Sequence, residues 1–431
     1  MTKPASSNFS RLGLLPALLQ RLNDLNYQQP TPIQAQVIPA VLEGRDVLAG
    51  ANTGSGKTAA FALPVLQSLH EHDYGDRSNA AFALILVPTR ELAQQVADAC
   101  MSYAAAFSGQ LKVTAVYGGV STNKQMLALR SGCDVLVATP GRLLDLVQQN
   151  AISLKRVRHL VLDEADRMLS LGFADELAKV LALLPKRKQS LLFSATYPEE
   201  VADLAVGLLH QPLQVELQSA KESTLTQRVI TVNKNQKGAL LRHLIEQYQW
   251  RQVLIFASAK RSCDRLAKKL KQAGIAAEVF HSDKAQATRQ RILDGFKQGQ
   301  TQVLIATDIA ARGIDIEKLP VVINFELPRS PADYMHRIGR SGRAGESGLA
   351  MSLISHDEYH HFKVIEKKNK VRLKREQIAG FEADDEAPED CPSRQEKPQA
   401  KPAGTGKKHR KKAQAAVTED DIWDFWRNKK S

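Results

Sequence analysis

Short apolar runs alternate with helical stretches along most of this chain, in two series separated by a polar segment at 216–226. Each run is short enough for a buried strand, and strands that alternate with helices form parallel sheets covered on both faces. We therefore predict a doubly wound α/β fold that occurs twice. The runs lie at 84–87, 112–116, 135–138, 160–162 and 191–193, then at 229–232, 253–256, 276–280, 303–306 and 321–323.

This pattern predicts a first domain at 1–215, a linker at 216–226, a second domain at 227–379 and a charged tail at 380–431. The formal charge of +13 favours a polyanionic partner, and nucleic acid rather than a membrane. The four cysteines (Cys100, Cys133, Cys263, Cys391) form no C-x-x-C pair, which argues against a zinc site or a disulfide framework. Without a signal-peptide core or an apolar run of membrane-spanning length, we expect a soluble, cytoplasmic protein.

A glycine-rich loop follows the apolar segment at 46–49 and precedes a helical stretch at 58–70. This order of strand, loop and helix is the context of a phosphate-binding P-loop. The inner glycines allow backbone N–H groups to surround a β-phosphate. Lys57 can reach the β- and γ-phosphates, and the Thr58 hydroxyl can ligate Mg²⁺. Ala51 stands where the simplest pattern has glycine. The loop consists of Ala51, Asn52, Thr53, Gly54, Ser55, Gly56, Lys57 and Thr58.

An acidic pair, Asp163 and Glu164, follows the apolar segment at 159–162. A carboxylate at the end of such a strand lies at the rim of a parallel sheet, where ligands bind. Asp163 can hold Mg²⁺ as a Walker-B aspartate does, and Glu164 can orient and deprotonate an attacking water. A solvated acidic helix start explains the pair equally well by itself. The P-loop upstream favours the catalytic interpretation.

Two helices are predicted ahead of the P-loop. The first is a single amphipathic helix at 9–25, and the second runs from the Pro30–Pro32 turn to about residue 42. Gln34 lies near the start of the second helix, and its amide can both donate and accept, as the exposed edge of adenine requires. A glutamine that faces water at a helix start is the simpler alternative.

Small, hydroxyl-bearing and basic residues follow the predicted strands of the first domain. Such groups at one sheet edge suit contacts with a sugar-phosphate backbone rather than with bases. They are Pro88, Thr89, Arg90, Gly119, Thr139, Pro140, Gly141, Arg142, Ser194 and Thr196.

The second half has no second P-loop, and its distinctive feature is arginine. Arg340 and Arg343 are three residues apart, so a helical turn would project them from one side. Paired arginines suit phosphate, and they would supply the arginine finger that the first half does not obviously contain. A basic surface turn is the alternative.

In this combination the chain resembles a DEAD-box RNA helicase, and within that family most closely the bacterial RhlE-type group. The similarity covers about 9–378 and follows the family's motif order. It implies two tandem RecA-like domains with parallel sheets, which close on ATP and RNA together. The motifs are Phe9, 30–34, the P-loop, 88–93, 118–119, 139–142, 163–166, 194–196, 254–256, Gln286 with Arg289, 306–315 and 336–343.

The resemblance also implies roles for individual residues. Ser194 and Thr196 would couple hydrolysis to strand separation. Arg340 and Arg343 would act as fingers, with His336 helping to place the water. The nucleotide would be held by Phe9, Tyr27, Gln34, the P-loop, Gly313 and Asp315. The RNA path would be lined by Pro88, Thr89, Arg90, Gly119, Thr139, Pro140, Gly141, Arg142, Arg289 and Thr307.

One departure from the family pattern falls beside the adenine pocket, where Asn26 replaces a usual glycine before Tyr27. Asparagine tolerates positive φ less well than glycine, which would slightly alter the pocket. Serines at 282 and 341 also differ from the usual residues, and no departure removes a catalytic group.

The composition changes after residue 380, where acids cluster at 382–390 and lysines at 397–412. We predict a disordered tail, which either holds RNA by counterion release or only aids solubility. At 418–430, Ile422, Trp423 and Trp426 form an apolar stripe behind an acidic start. We predict a short recognition helix for the core or a partner protein, with a chance aromatic terminus as the alternative.

We expect a monomeric ATP-dependent RNA helicase that uses ATP and Mg²⁺ and separates short duplexes without reading sequence, in ribosome assembly or RNA decay. A DNA helicase or translocase shares the two-domain motor. An ATP-gated RNA clamp or annealing protein shares every catalytic group. Both alternatives remain open.

Overall fold

The computed structural model describes residues 8–50, 54–72, 79–108, 110–216, 225–311, 319–341 and 348–384. These residues form two compact units, of which the first extends to 216 and the second begins at 225. The predicted site residues outside the described part are Ala51, Asn52, Thr53, Gly313, Asp315 and Arg343, together with the tail from 385 onward and its segment at 418–430.

Within the described residues, the first unit contains one sheet of seven parallel strands. The strands are β1 (Val47–Gly50), β2 (Ala81–Leu86), β3 (Val113–Val116), β4 (Cys133–Ala138), β5 (His159–Leu162), β6 (Gln189–Ser194) and β7 (Leu213–Glu216). The helices are α1 (Pro16–Asp24), α2 (Pro32–Leu42), α3 (Lys57–Glu71), α4 (Arg90–Ala104), α5 (Thr122–Leu129), α6 (Pro140–Gln148), α7 (Ala165–Ser170), α8 (Ala174–Ala182) and α9 (Glu199–Leu208).

The second unit also contains a seven-stranded parallel sheet among its described residues. The strands are β8 (Leu225–Thr231), β9 (Val253–Phe256), β10 (Ala277–Phe280), β11 (Val303–Ala306), β12 (Val321–Asn324), β13 (Gly348–Ile354) and β14 (Arg375–Glu376). The helices are α10 (Lys237–Gln247), α11 (Lys260–Gln272), α12 (Gln286–Lys297), α13 (Asp308–Ala311), α14 (Pro331–Ile338) and α15 (Tyr359–Lys368).

The two sheets share one topology. The order is β3-β4-β2-β5-β6-β1-β7 in the first unit and β10-β11-β9-β12-β13-β8-β14 in the second. When the strands of each unit are numbered from that unit's first strand, both sheets have the same strand order. The prediction of an α/β fold that occurs twice is confirmed, and every predicted apolar run overlaps a strand.

Apolar side chains on both faces of each sheet explain why the strands read as continuous apolar runs. In β1, Val47 and Ala49 join one hydrophobic cluster while Leu48 joins the other. This alternation follows the two-residue period of a strand. Most polar side chains of the site therefore lie near the ends of the strands, where loops begin and end.

The prediction of one helix at 9–25 is wrong. A short 3₁₀ turn at Phe9–Arg11 is followed by a break, and α1 begins only at Pro16. Gly13 adopts φ of +83°, a left-handed conformation that does not continue a helix, and Pro16 fits the first position of a new one. The leucines of this region still face the core, since Leu14, Leu18 and Leu22 are buried.

Three strands have no counterpart in the sequence prediction. β7 and β14 are short strands at sheet edges, and β13 mixes serine and glycine with its apolar residues. The ends of the predicted linker lie in strands, because Glu216 ends β7 and Leu225 begins β8.

Across the described part of the chain, no helix combines the length and the apolarity that a membrane span needs.

Candidate functional site

Parallel strands bring all of their carboxyl ends to one edge of the first sheet, and the predicted site residues divide along that edge. The P-loop follows β1, the acidic segment follows β5, and Ser194 ends β6. These three strands are neighbours in the order β5-β6-β1. The candidate RNA residues follow β3, β4 and β2, the adjacent three strands. The edge therefore has one part suited to a nucleotide and another suited to a nucleic acid.

The described part of the P-loop leads directly into α3, which begins at Lys57. Gly56, the residue before the helix, has φ of +88° and lies against Gln34 and Thr31. A Cβ at this position would come within 2.5 Å of Gln34 Nε2, so only glycine fits both the backbone and the space. The Lys57 side chain is buried, and its Nζ lies 3.5 Å from Asp163 Oδ1. The structure thus joins the P-loop to the acidic pair, as the sequence predicted.

Asp163 has the features of an aspartate that could bind a metal ion. Its side chain is buried, and no described residue gives its Oδ1 a hydrogen bond. Burial raises the pKa of this carboxyl, while the Lys57 ammonium opposes that effect. The Asp163 carboxylate and the hydroxyl of the half-buried Thr58 are hard oxygen ligands, a donor set that fits Mg²⁺.

Glu164 is held by a residue that the sequence analysis did not single out. Arg167 Nη1 donates to Glu164 Oε2 at 2.8 Å, and both side chains are buried. Glu164 also has a left-handed backbone with φ of +54°, which costs on the order of 1 kcal/mol or more for a residue with a side chain. The surrounding structure thus fixes both the backbone and the carboxylate of this residue. The spacing of three residues between Glu164 and Arg167 was the sequence signal that could have predicted this pair, because residues three apart lie on one side of a helical turn.

A compact hydrogen-bond network joins the acidic segment to the end of β6. Thr196 donates to Asp166 Oδ2 from its backbone N at 3.1 Å and from its Oγ1 at 2.8 Å. Ser194 Oγ accepts a hydrogen bond from the Asp166 backbone N at 3.3 Å and donates to the Thr196 carbonyl at 2.6 Å. The structure therefore brings together Ser194 and Thr196, and it adds Asp166 as their common partner.

Gln34 contacts the P-loop itself. Its Nε2 donates to the Gly56 carbonyl at 3.1 Å, and its Oε1 accepts from the Thr31 backbone N at 2.9 Å. The second interaction belongs to a capping box at the start of α2. An amide group has two N–H protons and two oxygen lone pairs, so these contacts leave one of each for a base. The alternative of a glutamine that faces water is wrong, because Gln34 is buried.

The family resemblance assigned two aromatic residues, Phe9 and Tyr27, to the nucleotide together with Gln34, but only one of the two rings is exposed. Tyr27 is 37% exposed, whereas Phe9 is 3% exposed, and their ring centroids are 6.4 Å apart. The Tyr27 hydroxyl also lies 3.0 Å from the Tyr103 hydroxyl. Tyr27 is thus the ring that can contact a ligand, and Phe9 supports it from within the core. Asn26, directly before Tyr27, has the positive φ of +60° that explains the family's usual glycine.

The candidate RNA residues of the first unit form a connected surface after β2, β3 and β4. The Arg90 guanidinium packs against Gly119 so closely that a Cβ there would lie 1.9 Å from Nη1. Arg142 Nη1 donates to the Val120 carbonyl at 3.1 Å and to Gln125 Oε1 at 2.8 Å. Arg142 therefore fixes the loop that carries Gly119, and one of its functions is structural.

The other members of this surface differ in exposure. Thr89 caps α4 by accepting a hydrogen bond from the Leu92 backbone N at 3.3 Å. Gly141 has open space around the position of a Cβ, in the first turn of α6. Pro88, Thr139 and Pro140 are buried, so their contribution is to shape the loops.

In the second unit, Arg289 and Thr307 meet at Phe280. The Arg289 guanidinium lies over the Phe280 ring, 4.8 Å from its centroid, and the Thr307 backbone N donates to the Phe280 carbonyl at 3.4 Å. These residues follow β10 and β11, which are neighbouring strands. The structure thus brings the two candidate RNA residues of this unit together.

The arginine-rich segment differs from its prediction in one respect. α14 ends at Ile338, so Arg340 lies in the turn beyond the helix and not on it. Arg340 is buried, and His336 is half-buried on α14. Glycine at 339 accounts for the early end of the helix, since it is a poor helix former.

Arg337, which the sequence analysis did not assign a role, anchors this segment. Its Nη2 donates to Asp308 Oδ2 at 2.7 Å, and its Nη1 donates to Asn324 Oδ1 at 3.0 Å. The guanidinium also lies over the Phe256 ring, 4.9 Å from its centroid. One buried arginine therefore ties α14 to residues at the carboxyl ends of β9, β11 and β12. It fixes the positions of His336 and Arg340.

The geometry of the first unit defines a P-loop nucleoside triphosphatase with a neighbouring nucleic-acid surface. Residues 31–204 match the DEAD/DEAH box helicase family model, and residues 236–345 match the helicase conserved C-terminal domain.

Similar proteins extend this result. The chain is 38% identical over 370 residues to the ATP-dependent RNA helicase CshA of Listeria monocytogenes, which covers 85% of this chain and 70% of that protein. It is 40% identical over 383 residues to the ATP-dependent RNA helicase DeaD of Mycobacterium tuberculosis, over 88% of this chain and 67% of that protein. The structure of S. cerevisiae Dbp5 bound to RNA and ADP BeF3 matches with a TM-score of 0.76 at 31% identity, over 86% of this chain and 96% of that chain. The chain belongs to the DEAD-box RNA helicase family, and the predicted family and its RecA-like domains are confirmed.

Proposed function

We propose that this protein is an ATP-dependent RNA helicase that holds RNA by its backbone and locally separates short duplexes. The observation that carries the proposal is the division of one sheet edge between a phosphate site and a nucleic-acid surface. The hydrogen-bonded pair Asp166 and Thr196 joins the ends of β5 and β6 in the phosphate part, and β5 is the neighbour of β2, the nearest strand of the nucleic-acid part. The similar proteins named above are ATP-dependent RNA helicases, and one neighbour is bound to RNA. Assignment to the RhlE-type group stays a prediction.

Hydrolysis needs a positioned phosphate, a base for the attacking water and compensation of charge. Lys57 would bind the phosphates at the start of α3, and Glu164 would accept the proton from the water. The Arg167 contact at 2.8 Å would orient the Glu164 carboxylate. When bound by Asp163 and Thr58, Mg²⁺ would neutralise phosphate charge. Arg340 and Arg343, with His336, would complete the site from the second unit.

RNA binding would act mainly through phosphates and sugars, because the surface after β2, β3 and β4 offers arginine, hydroxyl and backbone groups. Such contacts do not read sequence. Ser194 and Thr196 would relay the state of the nucleotide, because both contact Asp166 and Asp166 lies two residues after Glu164.

The decisive experiment compares ATPase stimulation by a single-stranded RNA with stimulation by DNA of the same sequence. An RNA helicase is stimulated by RNA much more strongly, and equal stimulation would favour a DNA translocase. The same preparation is then assayed for duplex separation and for annealing of complementary strands. Annealing without ATP-dependent separation would favour the alternative of an RNA clamp.

Further parts of the proposal concern the cell. We propose a monomeric, cytoplasmic protein that acts in ribosome assembly or RNA decay, and a recognition helix at 418–430. Crosslinking in cells followed by RNA sequencing identifies the bound RNA and so distinguishes ribosome assembly from RNA decay.

Deletion after residue 417 tests the proposed recognition helix. Unchanged RNA affinity, unchanged partner capture and tryptophan fluorescence of a solvated terminus in the intact protein would reject it.

A further inference from the structure

The second unit carries a strongly cationic helix face that the proposed mechanism does not use. α11 contains six lysines and arginines and one acid, and its buried residues pack onto the sheet. All six cations are therefore on the outer side, where they are exposed. We define the α11 stripe as Arg261, Arg265, Lys268 and Lys269.

The spacing of the α11 stripe places its cations along one side of the helix. Arg261 and Arg265 are four residues apart, and Lys268 and Lys269 follow three and four residues later. At a rise of about 1.5 Å per residue, the stripe is roughly 12 Å long. Within the described residues, none of the four has an acidic partner. The cations at the ends of the helix do have partners, since Lys260 pairs with Asp283 and Lys271 with Glu278.

The fold itself does not require this charge, as the first unit demonstrates. In chain order, α4 follows β2, the second strand of the first unit, and α11 follows β9, the second strand of the second unit. α4 carries one cation, Arg90, and two acids, Glu91 and Asp98. The same position in the same topology is thus close to neutral in one unit and strongly positive in the other.

The α11 stripe begins at the proposed RNA surface of the second unit. α11 follows β9, whose neighbour β11 leads to Thr307. The start of α11 is also tied to the segment after β10, because Asp264 lies 3.3 Å from His281 Nε2 and 3.8 Å from Lys284 Nζ. That segment leads into α12, which carries Arg289. A strand of RNA held at Arg289 and Thr307 could therefore continue along the outside of α11.

We propose that the α11 stripe binds the phosphate backbone of RNA that extends beyond the nucleotides held at the sheet edge. This inference rests on the proposed RNA-helicase function. Lysine and arginine side chains recognise phosphates without reading bases, and each phosphate contact releases counterions. The stripe would thereby favour long or structured RNA over short single strands and keep the protein near a duplex between cycles of hydrolysis.

The test uses a variant of the full chain that combines Arg265→Gln, Lys268→Gln and Lys269→Gln. The control combines Lys367→Gln, Lys368→Gln and Lys374→Gln, which removes the same charge from exposed positions. Lys367 and Lys368 lie on α15, which packs against the other face of the sheet through Phe362 and Ile365. Affinity is measured over a range of salt concentrations for a short single-stranded RNA and for the same RNA extended by a duplex.

We expect the α11 variant to bind the extended RNA about tenfold more weakly, with a salt slope shallower by about 3, one unit for each lost phosphate contact. The loss should be smaller for the short RNA and absent in the control variant. Equal losses in both variants would assign the effect to net charge and overturn the proposal, as would unchanged binding by the α11 variant. If RNA fails to stimulate the wild-type ATPase, the proposed function itself fails. Normal stimulation together with an unaffected α11 variant rejects only this inference.

Discussion

Thr196 donates two hydrogen bonds to the same carboxylate oxygen of Asp166, from its backbone N at 3.1 Å and from its Oγ1 at 2.8 Å. The two residues are 30 positions apart in the chain and follow neighbouring strands. Asp166 lies two residues after Glu164, so the contact links the proposed hydrolytic base to the end of β6. A change of the acidic segment on ATP hydrolysis would be transmitted to Thr196 through this carboxylate.

Loss of the Thr196 hydroxyl should uncouple hydrolysis from strand separation. Thr196→Val keeps the shape of the side chain and the backbone hydrogen bond but removes the Oγ1 donor, which leaves the Asp166 carboxylate with one donor fewer. We expect RNA-stimulated ATPase activity within a few-fold of wild type and a larger fall in duplex separation. Thr231→Val is the matched control, because it removes a hydroxyl that donates to the Glu376 carbonyl at 3.2 Å in the second unit. A parallel fall of both activities would argue against a coupling role.

Glu164→Gln should abolish most hydrolysis without preventing binding. The amide retains the shape of the side chain but cannot accept the proton of the attacking water. We expect hydrolysis to fall by roughly 10²-fold or more, with near-normal affinity for ATP and RNA. Single-turnover ATPase assays combined with nucleotide and RNA binding measure this. Near-normal turnover in the variant would remove Glu164 from the mechanism.

Both units should be needed for RNA-stimulated hydrolysis. The phosphate loop lies in the first unit and the arginine-rich segment in the second, so a fragment of residues 1–215 lacks Arg340. This fragment contains its own hydrophobic clusters and should fold. We expect it to show little RNA-stimulated ATPase activity, and circular dichroism serves as the folding control. Full activity in the fragment would contradict the two-domain account.

Arg337→Met should destabilise the second unit, because it leaves the Asp308 carboxylate without its bidentate partner. Breaking a fully buried pair costs about 3–5 kcal/mol of unfolding free energy. We expect a smaller loss here, because Arg337 is buried but Asp308 is only half-buried. Adding Asp308→Asn should recover part of the loss, since the unpaired charge is then removed. Urea unfolding measures both variants against Arg265→Met, a change at an exposed position. A loss no greater than that of Arg265→Met would show that the pair contributes little.

The first unit should lose stability in mild acid through His159. Burial lowers the pKa of this imidazole from 6.5 to about 4, and its nitrogens contact Ser68 Oγ at 3.1 Å and Gln189 Oε1 at 2.9 Å. The unfolded chain therefore binds the proton more readily than the folded one. The contribution is fully present above about pH 6.5 and is lost as the pH falls toward 4, by roughly 3 kcal/mol in total.

The change His159→Gln tests this assignment, because glutamine keeps a donor and an acceptor but does not titrate. Unfolding free energies of the two proteins are compared across that pH range. We expect the variant to have the shallower pH dependence. Identical pH profiles would assign the acid sensitivity to other groups.

The amino-acid sequence by itself determined the repeated α/β pattern, the phosphate loop and the order of the motifs. These features depend on local chemistry: apolar runs form strands, glycines permit positive φ, and Lys57 and Asp163 each follow a strand in the sequence. The family assignment rested on the same local signals. The prediction was wrong at 9–25, where two local signals conflict. The leucines continue the helical period, but Gly13 and Pro16 interrupt the helix.

Only the tertiary structure decided which side chains contact one another. Gln34 contacts Gly56, Thr196 contacts Asp166 and Arg337 contacts Asp308 because strand order and helix packing bring distant segments to one sheet edge. Likewise, Phe9 is buried and Tyr27 is exposed, although the family resemblance assigned both rings to the nucleotide. A hydrogen bond depends on atomic positions within a few tenths of an ångström, and these are fixed by the packing of the whole unit rather than by neighbours in the chain.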